Sequence, residues 1–199
     1  MNYRHLDRQI AAFADQLTTA VGLREAEVPV VATSIAADAR FLEPTARAAI
    51  FAASPVPLRD RIEELTTFQA FMDTASAVRG RPAVTRAQII IQNYVCFVYL
   101  GEACFRALSK AAKSGSVTRR CCKFLTDNPV RAFRNAIAHA NWTYAPDFEG
   151  LVFWARKGSD SNETLSRFEV SQHDLDFWQT LSRGVAYAAY TSLEGFESS

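Results

Sequence analysis

The 199-residue chain has few of the residues that small proteins use to stabilise a fold without a large core. Only four cysteines occur, and no two of them form a CxxC pair, so the sequence predicts neither a disulfide framework nor a zinc knuckle. Eight glycines and seven prolines are too few for a collagen-like or low-complexity chain. Apolar residues make up 49% of the sequence, which predicts one folded domain over residues 1–199.

Long apolar runs are also missing. No stretch approaches the roughly 18 apolar residues of a membrane-spanning helix, and the N-terminal residues lack the features of a signal peptide. We therefore expect a cytoplasmic protein with no membrane partner. The chain also lacks a glycine-rich phosphate loop, paired carboxylates and the HExxH and GxSxG motifs, so P-loop hydrolases, metalloproteases and serine hydrolases have no support. The sequence predicts no metal and no cofactor.

Acidic residues are scarce in the middle third of the chain. Residues 79–134 contain eleven lysines and arginines against two acids, a net charge of +9 in a chain whose total is +1. Eighteen of the 22 cationic residues are arginine, which binds phosphate through two parallel hydrogen bonds. Both a polyanion site and an ordinary solvated helix face are compatible with this charge.

The spacing of apolar residues predicts a mainly α protein, a bundle of five to seven helices with its core helices over about 58–141. The predicted helices cover about 3–21, 31–50 with a break at Glu43-Pro44, 58–78, 84–113, 117–125, 129–141 and 172–194. The helical period then ends, and two strand-like segments at 151–156 and 165–170 around a polar loop predict a small β-hairpin, about 151–170, inserted before the last helix. Ser171 and Asp174 are spaced as a capping box that opens that helix.

The short helix after Asp127 carries the residues with the most chemical capacity. Asn128 is predicted as its N-cap and Pro129 as its first helical residue. Arg131, Asn135 and His139 then follow at intervals of four, so three hydrogen-bonding side chains share one face. The imidazole of a histidine can accept or donate a proton near neutral pH.

The segment from Arg134 to His139, Arg-Asn-Ala-Ile-Ala-His, resembles the R-x(4–6)-H motif of HEPN domains, including the polar residue that usually follows the arginine. The resemblance implies an all-α bundle that forms a homodimer with the two motifs facing each other. Many HEPN proteins are metal-independent endoribonucleases of toxin–antitoxin, antiviral-defence or RNA-processing systems. For this chain it implies that His139 of each protomer serves as acid or base, that Arg134 clamps the phosphate and that Asn135 orients either group.

Four further cations are predicted to contact RNA, and they are Arg119, Arg120, Lys123 and Arg131. Other functions remain open. Many HEPN-like domains are non-catalytic and bind RNA, a nucleotide or a partner such as an antitoxin or a nucleotidyltransferase. The subgroup modified by a nucleotidyltransferase carries Tyr where this chain has Asn141. A helical adaptor, in which His139 caps a helix and Arg134 forms an ion pair, is a third interpretation.

Cys121 and Cys122 follow two of these arginines directly. Their basic neighbours could lower the pKa of the two thiols and make them sensitive to oxidation.

Overall fold

The computed structural model describes residues 3–47, 67, 102–156 and 164–197. Within these ranges six α-helices, one 3-10 helix and three strands have defined bounds, and residues 44–47 and Thr67 are helical as well. In chain order they are α1 (Tyr3–Thr19), the 3-10 helix (Glu25–Val30), α2 (Val31–Ala39), α3 (Glu102–Ala111), α4 (Val117–Thr126), α5 (Val130–Ala138), β1 (Trp142–Tyr144), β2 (Gly150–Ala155), β3 (Ser166–Ser171) and α6 (Gln172–Glu197). The predicted mainly α fold with a small antiparallel sheet before the last helix is confirmed.

Four predicted features fall wholly or partly on residues outside those ranges. They are the last residues of the helix over 31–50, the helix over 58–78, apart from Thr67, which is helical, the first part of the helix over 84–113, and most of the loop between the two predicted strands. The helix over 84–113 can therefore be compared only from residue 102, where it is α3. No helix in the described part of the chain combines the length and the apolar character needed to cross a bilayer.

Local signals set several helix ends. After α2 a turn separates Ala39 from a new helical segment at residues 44–47, so the predicted break at Glu43-Pro44 is a helix restart. The hydroxyl of Ser171 accepts a hydrogen bond from the backbone N–H of Asp174 at 3.1 Å and donates to its carboxylate at 2.7 Å. The predicted cap of α6 is therefore confirmed.

The predicted start of α5 is one residue too early. Pro129, whose side chain forms no capping hydrogen bond, takes the N-cap position, and Val130 is the first helical residue. Backbone carbonyls stabilise this first turn instead, because Asp127 accepts from the N–H of Arg131 and Pro129 accepts from the N–H of Phe133, both at 2.9 Å.

The sheet has three antiparallel strands in the order β1-β2-β3, so the predicted hairpin is its β2-β3 pair. The sheet face that carries Phe153 packs on α5, where the ring of Phe133 lies 5.4 Å from that of Phe153. Phe133 also lies 5.4 Å from Trp178 of α6. The three buried rings hold α5 between the sheet and the last helix, which fixes the orientation of its outer face.

Candidate active site on helix α5

Helix α5 separates a buried face from a solvent-facing one. Its buried residues are Val130, Ala132, Phe133 and Ala136. Arg131, Arg134 and Asn135 are half-buried, and His139 at the end of the helix is exposed. The predicted catalytic residues therefore sit on a rigid core helix with their polar groups within reach of solvent.

Helix α5 ends in a Schellman motif directly at His139. The N–H of Asn141 donates to the carbonyl of Ala136 at 2.7 Å, and the N–H of Ala140 donates to that of Ile137 at 3.0 Å. His139 is the C-cap residue, and Ala140 has a left-handed backbone with φ 55°. The motif satisfies the last helical carbonyls and ends the helix at Ala138, three residues earlier than predicted.

Glycine at residue 140 is expected to stabilise the protein, because alanine is strained in the left-handed region that this Schellman motif requires. We expect Ala140→Gly to raise the free energy of unfolding by about 0.5–1 kcal/mol in urea denaturation. Ala138→Gly is the matched control, since Ala138 is exposed but helical, and it should lower that energy by a similar amount. Destabilisation by both substitutions would contradict the assignment of the cap.

Glu102 at the start of α3 links α5 to the rest of the bundle. Its Oε1 accepts a hydrogen bond from Nε of Arg106 at 2.6 Å, one helical turn further along α3. Its Oε2 forms an ion pair with Nη2 of Arg134, and the two side chains are only 21% and 25% exposed. The carboxylate therefore restrains the guanidinium of Arg134 at the surface of α5.

The two arginines keep Glu102 ionised. Burial alone would raise the pKa of its carboxyl, but the hydrogen bond from Arg106 and the charge of Arg134 outweigh burial, and the pKa is lowered from its ordinary value of 4.5. The stability that these contacts contribute is fully present at a pH above the ordinary pKa of the carboxyl. It is lost as the pH falls through the lower pKa that Glu102 has in the folded protein. Near neutral pH Glu102 is therefore ionised and its ion pair with Arg134 is fully formed.

The cations predicted to contact RNA have different surroundings. Arg120 of α4 donates to the carbonyl of Gly22 at 2.6 Å and forms an ion pair with Glu27 at 2.7 Å, so it joins α4 to the N-terminal elements. Arg119 is half-buried and donates to the carbonyl of Ala112. Lys123 is exposed, and its ammonium lies 3.9 Å from an exposed carboxylate, that of Asp127.

The basic residues beside Cys121 and Cys122 could have lowered the pKa values of the two thiols, but the structure shows both raised. Cys121 and Cys122 are fully buried in the core, where Cys104 is buried as well. Burial raises the pKa of Cys104 and of Cys121 to about 12 and that of Cys122 well above 9. The charge of Arg120 lowers the pKa of Cys121, but burial has the larger effect. These thiols are therefore unreactive core residues.

Two features of the site were missed in the sequence. The i, i+4 spacing of Glu102 and Arg106 shows that they can pair, but nothing in the sequence indicates that the same carboxylate reaches Arg134. Strand β1 was missed too, and it places Trp142 and Tyr144 beside the end of α5.

Across the described residues, no group of three or more His, Cys, Asp or Glu side chains is arranged to hold a metal ion. The chain matches no protein-family model, no curated protein and no solved structure.

Proposed function

We propose that the protein is a metal-independent endoribonuclease of the HEPN type, acting as a toxin or a defence effector. The observation that supports this best is the restrained guanidinium of Arg134 on the same short helix that ends at the exposed His139. Asn135 is half-buried on that helix between them. A cation for phosphate and an imidazole for proton transfer are the groups that RNA cleavage requires.

The reaction uses the substrate's own hydroxyl as nucleophile. A base removes the proton from a ribose 2′-OH, the 2′ oxygen forms a bond to the adjacent phosphorus, and the bond from phosphorus to the 5′ oxygen breaks. An acid gives a proton to the departing 5′ oxygen. The products are a 2′,3′-cyclic phosphate and a 5′-OH. Arg134 stabilises the charge on the phosphoryl oxygens, and Asn135 orients the phosphate or the imidazole.

The two proton transfers occur on opposite sides of the phosphorus, so one imidazole cannot easily perform both. We infer that the active species is a homodimer in which the α5 helices of the two protomers meet near the two-fold axis. Each protomer then supplies one His139. The small exposed side chains of Ala138 and Ala140 leave room for a second helix to approach. A protein that is active on RNA and monomeric at micromolar concentration would contradict this arrangement.

Product analysis tests the proposed reaction. The purified chain is incubated with a mixed-sequence RNA pool, with and without EDTA, and the new ends are mapped chemically. Cleavage should persist in EDTA and yield 2′,3′-cyclic phosphate and 5′-OH ends. Products with 3′-OH ends, or loss of activity in EDTA, would contradict the mechanism.

A second candidate is a non-catalytic module that binds RNA or a protein partner such as an antitoxin or a nucleotidyltransferase. Two observations favour a non-catalytic role, whether as this module or as the helical adaptor, since Arg134 already has a carboxylate partner and His139 occupies a helix C-cap, where a histidine can act structurally. RNA binding without cleavage of any mixed pool, together with a fall in melting temperature for His139→Ala, would favour this candidate over the nuclease.

The cations of α4 give a separate prediction about RNA affinity. Removing one cation that binds a phosphate should reduce the slope of log affinity against log salt by about 0.7 for single-stranded RNA. We expect Arg119→Ala with Lys123→Ala to flatten that slope by about 1.4. Arg120→Ala is the matched control, because Arg120 is engaged by Glu27, and it should lower the melting temperature and leave the slope unchanged. If Arg120→Ala flattens the slope and the Arg119→Ala, Lys123→Ala variant does not, the assignment of RNA contact to Arg119 and Lys123 is wrong.

A further inference from the structure

Three aromatic rings form a continuous row just beyond the end of α5. The ring of Trp142 lies 5.5 Å from that of Tyr144, edge to face, and Tyr144 lies 5.6 Å from Phe148 in a tilted arrangement. Trp142 and Tyr144 are half-buried, and 37% of Phe148 is exposed. The row therefore combines supported rings with accessible ring surface.

The row borders the helix that carries the candidate active site. Trp142 pairs with Phe153 across the β1-β2 ladder, so both side chains lie on the sheet face that packs on α5. Strand β1 is at the edge of the three-stranded sheet. From His139 to Trp142 the chain spans three residues, at most about 10 Å, and the left-handed turn at Ala140 shortens that path.

Phe148 has a backbone conformation that a large side chain rarely adopts. Its φ is 60°, its N–H donates to the carbonyl of Ala145 at 2.9 Å, and it occupies the left-handed position of the turn between β1 and β2. Glycine is the residue that such a position favours. An aromatic ring held at the cost of backbone strain indicates that the ring itself has a role.

The charges around the row indicate which part of a nucleotide it contacts. Asp147 and Glu149 flank Phe148, and both are exposed, so this end of the row disfavours phosphate. Arg131 and Arg134 lie on α5, the helix whose C-terminal end precedes Trp142 by a short turn. A single strand would accordingly place its phosphates at α5 and its unpaired bases on the rings.

We propose that Trp142, Tyr144 and Phe148 form a stacking surface for unpaired bases of single-stranded RNA, next to the phosphate bound at Arg134 and His139. This inference rests on the proposed function, because it names the part of the substrate that the same site holds. Stacking on aromatic rings is tolerant of sequence, since every base has a π-face. The surface therefore selects unpaired RNA over duplex RNA, whose bases are already stacked.

The test measures binding of RNA that cannot be cleaved. The probe is a single strand of about eight nucleotides with 2′-O-methyl groups, compared with an abasic strand of the same length and charge and with a duplex. The wild-type chain should bind the base-containing strand about 5- to 150-fold more tightly than the abasic strand, with quenching of tryptophan fluorescence. Equal affinity for the two strands would overturn the proposal.

Phe148→Gly is the decisive variant because glycine relieves the backbone strain while it removes the ring, so the melting temperature should change by no more than about 5 °C. It should lose most of the preference for base-containing RNA. Tyr144→Leu, which keeps apolar volume without a π-face, should do the same. Phe41→Ala is the matched control, since Phe41 is 78% exposed in the turn after α2, and the preference of this variant should be unchanged.

The outcomes separate this inference from the proposed function. Full preference for base-containing RNA in both Phe148→Gly and Tyr144→Leu would overturn the stacking surface, even if the chain cleaves RNA. If these two variants change the oligomeric state but keep the preference for base-containing RNA, the three rings belong to a contact between protein chains. That result would also overturn the stacking surface. A base preference that depends on the row in a chain without cleavage activity would support the surface and contradict the nuclease.

Discussion

His139→Ala is expected to lower the rate of RNA cleavage by about 10²- to 10⁴-fold, because it removes the group proposed to transfer protons on both sides of the phosphorus. The fold should not change. His139 is an exposed C-cap residue, and the carbonyls at the end of α5 are satisfied by the backbone N–H groups of Ala140 and Asn141. Single-turnover cleavage of a defined RNA and the melting temperature are measured on the same preparation.

His173→Ala is the matched control for that variant, because His173 belongs to the first turn of α6 and has no part in the proposed reaction. Its cleavage rate should equal that of the wild type. An equal loss of cleavage rate in His139→Ala and His173→Ala would show that replacing either histidine harms the protein as a whole and not the active site. Retained cleavage in His139→Ala would exclude His139 as the acid or base.

Arg134→Ala should cause a loss of similar size, because it removes the cation that stabilises charge on the phosphoryl oxygens. The variant with both substitutions should lose little more than either single variant, since groups that act as one unit are strongly non-additive. Losses that multiply would instead indicate that Arg134 and His139 act independently of each other. A double-mutant cycle on kcat/KM measures the difference.

The parts of the fold that could be predicted are those with local signals. Helix α4 and helix α6 begin directly after serines whose hydroxyls accept hydrogen bonds from backbone N–H groups three residues later, Ser116 and Ser171. Strand β3 alternates between less and more exposed residues over six positions, whereas strand β2 is a short apolar run that is buried almost throughout, and both patterns are typical of strands. The observed bounds of both strands differ from the predicted ones by one residue at each end.

The features that could not be predicted depend on tertiary contacts. Strand β1 has three residues, too few to show a period, and it exists because it pairs with β2. The raised pKa of Cys121 could not be predicted because basic neighbours are visible in a sequence and burial is not. Helix α5 ends early at an alanine in the left-handed conformation, a role for which the usual signal is glycine.

Glu102 is the most consequential of the residues whose role only the structure reveals, and Glu102→Gln should lower cleavage by about 10- to 10²-fold. Glutamine keeps the size of the side chain but loses the charge that restrains the guanidinium of Arg134. Glu102 acts as a positioning residue, so the loss should appear in kcat while KM and the melting temperature change little.

Arg106→Ala separates positioning from a general effect on α3. Arg106 binds the carboxylate of Glu102 from a more exposed position. It has no role of its own in the proposed reaction. An exposed ion pair of this kind is worth about 0–1 kcal/mol, so cleavage should stay within about fivefold of the wild type. Equal losses in Glu102→Gln and Arg106→Ala would mean that the cluster stabilises the bundle and does not position Arg134. A loss confined to Glu102→Gln would identify the carboxylate as the group that orients the phosphate clamp.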